Sequence, residues 1–206
     1  GTLAHWAHEL LAPKKKRKSL SERRLRVLLG LDDLPGDIPD DAPPGARSVS
    51  QVAAAFDIDP PLIHSNIQTF RQRWADSSGC AELEATLREV LEAAGPVCSF
   101  EAAADALIRL RGAPERDEVS QRRAALALVR LGAEVRPAAG HWLQWRRLGQ
   151  GAWLSSDSAA LDALATLAAK ADEFAAQEPL ASSETVRGAL VELAAGTPIE
   201  VLPVDR

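Results

Sequence analysis

The sequence predicts a mainly α-helical chain: a helix-turn-helix domain, then a winged-helix-like domain with one β-hairpin, then C-terminal packing helices. Three observations predict this fold. Hydrophobic residues recur at helical spacing along most of the chain, capping and glycine signals divide it into helices of ordinary length, and one Gly-Gln-Gly turn separates two short strand-like stretches. With 206 residues, of which 46% are hydrophobic, the chain is long enough for a core and for one or two domains.

Residues 1–19 are expected to form a basic connector. A short helical pattern from Leu3 to Leu11 leads to Pro13 and then to a basic run. The net charge of the chain is −5, yet the stretch from 14 to 26 carries eight positive charges against one negative charge. Such a run can bind phosphates. It is also typical of a solvated linker, and it has the form of a nuclear import signal.

The helix-turn-helix domain is predicted over residues 20–78. Its first helix covers 20–29, and residues 30–46 form a loop because they contain five aspartates, four prolines and three glycines. Ser48 and Gln51 then fit a capping box that opens a short helix.

A turn and a longer helix complete this helix pair. Residues 57–59 form the turn, and Pro60 suits the first position of a second helix that runs to about Trp74. The short helix, the three-residue turn and the longer helix together have the outline of a helix-turn-helix.

The longer helix has two faces. The residues expected in the core are Ile63, Ile67, Phe70 and Trp74. The opposite face, which would lie in a DNA groove, carries His64, Ser65, Gln68, Arg71 and Gln72. Glutamine side chains can bind adenine edges, and arginine can bind guanine or a phosphate. Asp57 and Asp59 would repel phosphates, and many such helix pairs only pack, so DNA contact and simple packing both stay open.

The winged-helix-like domain is predicted over residues 79–156. Its three helices are expected over 81–94, from Ser99 to Leu110, and from Pro114 to about Gly132. The stretches 142–148 and 152–155 flank the Gly149-Gln150-Gly151 turn and form a β-hairpin. Residues 157–206 are expected to form C-terminal helices whose continuation is cut off.

Basic residues provide further candidate contacts to phosphates. In the second domain they are Arg116, Arg122, Arg123, Arg146 and Arg147, and in the basic run they are Lys14, Lys15, Lys16 and Arg17. The alternative interpretation is a charged face that is simply exposed to solvent. That alternative is the preferred one for Arg130.

No catalytic, metal or cofactor site is predicted. The two cysteines form no CxxC pair, the four histidines lack neighbouring ligands at metal-binding spacing, and the nucleotide-binding and nucleophile motifs are absent. No apolar stretch approaches the roughly 20 residues of a membrane span, so we expect no membrane contact. The chain has only two cysteines, so we expect it in the reducing cytoplasm. Because the sequence contains no methionine, we expect it to be a piece of a longer protein.

Six segments carry a likeness to one bacterial family. They are Leu28-Leu29-Gly30-Leu31-Asp32, Arg71 to Trp74, Leu87 to Gly95, Ala103 to Gly112, Trp145 to Gly149 and Thr185 to Leu193. In these segments the chain resembles the PglW-type serine/threonine kinases of bacterial phage-defence systems (phage growth limitation and BREX), in a region outside the kinase domain. The kinase motifs H-R-D, D-F-G and V-A-I-K are absent here, so the resemblance does not imply phosphoryl transfer.

The resemblance implies a regulatory module of a larger defence kinase. The helix-turn-helix of this region resembles the DNA-binding helix-turn-helix of sigma factors. The implied activity is therefore non-catalytic binding or sensing of double-stranded DNA. The alternative is a protein-interaction scaffold that docks other domains or subunits of the defence complex, the kinase domain among them.

Overall fold

The computed structural model describes residues 2–11, 20–35, 45–75, 77–112, 117–135, 143–178 and 182–199. The basic run, Arg116 and Trp142 lie outside these ranges. The described elements are α1 (Leu3–Trp6), a π-helical turn (Ala7–Leu11), α2 (Leu20–Leu28), α3 (Val49–Ala55), α4 (Pro60–Ala75), α5 (Ser78–Ala94), β1 (Cys98–Ser99), α6 (Phe100–Arg111), α7 (Glu118–Glu134), β2 (Gln144–Leu148), β3 (Gly151–Ser155), α8 (Ser158–Gln177) and α9 (Ser183–Ala194). The predicted fold class is confirmed: the chain is mainly helical and carries a small antiparallel sheet.

The N-terminal helix belongs to the hydrophobic core. Leu3 and Trp6 are completely buried, and α1 packs against α5 and α6. The indole of Trp6 donates to the Glu82 carboxylate at 3.3 Å, and the Ser77 hydroxyl donates to Glu9. Residues 3–11 therefore form part of the folded unit, whereas the sequence predicted a connector here.

The helix pair α3 and α4 forms as predicted. The Ser48 hydroxyl accepts from the Gln51 N–H at 3.1 Å, and the Gln51 side chain accepts from the Ser48 N–H at 2.8 Å, which confirms the capping box. Asp57 then reverses the chain with a left-handed φ of 51°, a conformation that aspartate tolerates better than most residues. The chain enters α4 at Pro60.

The second unit has the order helix, strand, helix, helix and hairpin. The predicted hairpin is confirmed: Leu148 pairs with Gly151, which leaves Gly149 and Gln150 as a two-residue turn, and Gly149 supplies a φ of 55°. The sequence did not predict β1. This short strand adds to the hairpin through β3 and gives the sheet order β1-β3-β2.

Helix α7 forms where it was predicted, and most of its second half is buried. It begins at Glu118, because the Asp117 carboxylate caps it by accepting from two backbone N–H groups, and it ends at Glu134. The predicted start at Pro114 lies outside the described residues. Every residue from Ala124 to Gly132 is buried. A helix that is buried all round lies inside the core, so this part of α7 is enclosed by protein.

One cluster of buried hydrophobic residues extends through both predicted domains, from Leu3 to Leu154. The indole of Trp74 at the end of α4 donates to the Leu10 carbonyl, which ties the helix-turn-helix to the N-terminal segment. Helix α8 packs on the sheet through Ala160 and Leu161, and α9 packs on α8. None of the described helices is both long enough and apolar enough to span a bilayer.

Candidate nucleic-acid interface

The outward face of α4 is the best-formed candidate surface. Its core residues Ile63, Ile67, Phe70 and Trp74 are buried, as predicted. The exposed residues opposite them are His64, Ser65, Gln68 and Gln72, also as predicted. An open groove of about 570 Å³ runs along this face and is lined by Ser65, Gln68, Thr69, Arg71, Gln72 and Ala75. The side chains offer both donors and acceptors, and α4 therefore presents a polar, hydrogen-bonding strip.

Arg71 is only partly exposed and its guanidinium reaches α7, whereas the sequence predicted it on the outward face. Its Nη2 donates to the Glu134 carboxylate of α7 at 2.5 Å, and 23% of its side chain is exposed. The reason is its position on the helix: Arg71 is four residues after Ile67 and three before Trp74, so it borders the buried stripe. The guanidinium therefore reaches the neighbouring helix.

Glu134 binds a second arginine. Its other oxygen accepts from the Arg130 Nε at 2.8 Å. Arg130 also donates to the Gly45 carbonyl at 3.1 Å and stacks on the Trp145 ring, 3.7 Å from the ring centre. Only 2% of Arg130 is exposed, so the interpretation of Arg130 as a solvent-exposed charge is wrong. We call Arg71, Glu134 and Arg130 the buried triad.

The pKa shifts within the buried triad follow from its burial and its charges. Burial by itself would raise the pKa of Glu134, but the attraction of Arg130 and the hydrogen bond from Arg71 hold that pKa below its usual value. Burial lowers the pKa of Arg130, and repulsion from Arg71 adds to this effect, while Glu134 opposes it. The triad therefore holds its carboxylate ionised between two cations.

Most of the described arginines of the second domain already have acidic partners. The ion pairs are Arg122 with Glu101 and Asp105, Arg123 with Asp33, and Arg146 with Asp162. Arg147 donates to the Gly149 carbonyl at 3.4 Å. Exposed ion pairs contribute only about 0–1 kcal/mol, so these arginines can exchange partners. The adjacent carboxylates nevertheless cancel much of their attraction for phosphates.

Arg23 of α2, which lies within the basic stretch 14–26, is a further candidate contact. It is exposed, and its guanidinium lies 5.8 Å from the centre of the Phe56 ring, at the turn before α4. Among the residues that the structure describes, Arg23 has no carboxylate partner. The signal available in the sequence was its place within the basic stretch 14–26. Asp57 and Asp59, which are also exposed, lie on the same turn and oppose its charge.

Both cysteines are buried, which raises the pKa of Cys80 to about 12 and that of Cys98 to about 11. Their thiols are therefore protonated and unreactive at neutral pH. Within the described ranges no group of three or more His, Cys, Asp or Glu side chains could hold a metal ion.

No protein-family model, curated protein or solved structure matches this chain. The likeness to the PglW-type kinases therefore stays a prediction from the six sequence segments.

Proposed function

We propose that this chain is a non-catalytic module that binds double-stranded DNA through α4, as part of a larger bacterial anti-phage defence kinase. One observation carries the proposal: α4 follows a tight turn, buries one apolar stripe and leaves a polar strip exposed along the other side. With 16 residues, α4 is about 24 Å long. A B-DNA major groove about 12 Å wide admits such a helix.

The contacts divide between bases and phosphates. Gln68 and Gln72 are one helical turn apart on the exposed strip, where each amide can pair with an adenine edge. Arg23 beside the turn, and the predicted basic run 14–17, supply phosphate contacts, and phosphate contacts dominate affinity for DNA. Helix α7 supports α4 through Glu134 and does not enter a groove, because most of it is enclosed by protein.

A second candidate function is a scaffold that docks another domain or subunit. It is favoured by the acidic partners of the arginines and by two exposed apolar side chains, Leu110 at the end of α6 and Val119 at the start of α7. Exposed apolar patches on a protein surface mark contact sites for other proteins.

The experiment that tests DNA binding is selection from a random duplex library, followed by fluorescence anisotropy on a duplex of about 25 base pairs at several salt concentrations. We expect binding that weakens log-linearly with salt. Changing Gln68→Ala together with Gln72→Ala should weaken binding to the selected sequence by roughly 5- to 150-fold per lost base contact and leave binding to random duplexes nearly unchanged.

The matched control is Gln177→Ala, an exposed glutamine near the end of α8 that bonds only to Glu173 among the described residues. It should bind both duplexes like the unaltered chain. An absence of binding even at low salt would contradict the DNA proposal and favour the scaffold. The scaffold is tested by changing Leu110→Ser together with Val119→Ser, which should abolish capture of the partner protein.

A further inference from the structure

Arg71 lies on the edge between the two faces of α4. It is four residues after the buried Ile67 and three after the exposed Gln68. Its long side chain can therefore reach either the core or the open groove on the outward face of α4. In the structure it does both. Its Nη2 donates to Glu134, while 23% of the side chain is exposed and the residue lines the groove on the outward face.

The hydrogen-bonding capacity of Arg71 is only partly used. Carboxylates commonly bind arginine through two parallel hydrogen bonds. Glu134 offers Arg71 one oxygen, because its other oxygen accepts from Arg130. The Nε of Arg71 is buried and has no hydrogen-bond partner among the described residues. The contact is therefore weaker than a bidentate pair, and a second acceptor could still bind this guanidinium.

The buried triad also carries one excess positive charge, since two guanidiniums share one carboxylate. Arg130 and Glu134 are 2% and 9% exposed, so this charge is poorly solvated. A partly buried charge without a counterion costs free energy. An anion that reached Arg71 from the groove would neutralise the excess and leave Arg130 with Glu134 as a neutral pair.

We propose that Arg71 binds a backbone phosphate of DNA and that Glu134 competes with this phosphate for the same guanidinium. The inference rests on the proposed DNA binding by α4. Glu134 is then an internal acidic competitor that lowers the affinity of the module for DNA. Binding to DNA moves Arg71 from Glu134 toward the groove, and the contact with Arg130 keeps the carboxylate paired after Arg71 leaves.

The test is fluorescence anisotropy of a random-sequence duplex of about 25 base pairs, titrated over a series of salt concentrations. Arg71→Ala should make the negative slope of log affinity against log salt shallower by about 0.9, because one phosphate contact is lost. Glu134→Gln should tighten binding roughly tenfold, because a neutral amide competes less well for the guanidinium. Arg109→Ala, which removes an exposed cation on α6, is the control and should leave the slope unchanged.

The salt slope separates a phosphate contact from a purely structural role, which would lower the melting temperature without changing the slope. Arg71→Lys keeps the charge and should keep the slope, even if Glu134→Gln fails to fold. If the unaltered chain binds DNA and Arg71→Ala shows the same slope, the inference is overturned and the proposed function stands. If the unaltered chain does not bind DNA at all, both are overturned.

Discussion

Replacing Arg130 by methionine tests the energetic role of the buried triad most directly. Methionine keeps much of the packing on Trp145 but leaves Glu134 with one arginine, and it removes the donor to the Gly45 carbonyl. Glu134 is not left without a counterion, because Arg71 still pairs with it, so the cost is that of the lost hydrogen bonds. The lost bond to the charged Glu134 costs about 2 kcal/mol and the lost bond to the Gly45 carbonyl about 1 kcal/mol, which gives a total of about 3 kcal/mol.

This loss should lower the melting temperature by about 6–12 °C for a chain of this length, measured by circular dichroism and checked by urea unfolding. The matched control is Arg122→Met. Its ion pairs involve side chains that are 44–46% exposed, so it should cost no more than about 1 kcal/mol. If Arg130→Met and Arg122→Met lowered the free energy of unfolding equally, the assignment of the triad as a stabilising buried contact would be refuted.

A compensated variant separates the ion pairs from the packing. Changing Arg130→Met, Glu134→Leu and Arg71→Met together removes every charge of the triad and leaves no member without its partner. Apolar replacement of a buried ion triad is commonly neutral or stabilising. We therefore expect this triple variant to recover most of the stability that Arg130→Met loses.

Three further predictions concern stability and reactivity. Gly132→Ala places a Cβ 2.4 Å from the Leu87 side chain in the core and should lower the free energy of unfolding by about 1–3 kcal/mol. Gly188→Ala has open space around its new Cβ and should stabilise α9 by up to about 1 kcal/mol. Urea unfolding measures both free energies. The folded pKa of Glu134 is lowered, so its contribution to stability is present above its unfolded pKa, near 4.5, and is lost as pH falls through the folded value. Acidification from about pH 6 to about pH 3 should therefore destabilise the unaltered chain more than the triple variant without the triad, as followed by melting temperature. Burial should make the Cys80 thiol react with a disulfide reagent at about pH 8 far more slowly in the folded than in the unfolded chain, and equal rates would contradict its buried position.

Local signals in the sequence were sufficient to predict the candidate face of α4. The Ser48 capping box, the turn and the spacing of Ile63, Ile67, Phe70 and Trp74 depend on residues close together in the chain. Such signals set the start of a helix and the face that it buries, and both predictions are confirmed. The hairpin was predictable for the same reason, because a two-residue turn needs the positive φ that Gly149 supplies.

Signals present in the sequence could also have corrected two of the predictions. The apolar run from Ala124 to Val129 has no polar side, which is typical of a helix enclosed by protein. Arg130 and Glu134 are four residues apart, the spacing at which ion pairs form on a helix. The prediction of a charged surface for the arginines of this helix overlooked both signals.

Only the tertiary structure decided which arginines remain available to an external anion. Arg71 and Glu134 are 63 positions apart, and Arg123 and Asp33 are 90 apart, so no spacing rule relates them. Their pairing depends on how α4, α7 and the loop after α2 pack together. A sequence can therefore specify which face of α4 is exposed, because helical periodicity is local. It cannot specify whether the charges near that face are already neutralised, because their partners are brought close only by the packing of distant segments.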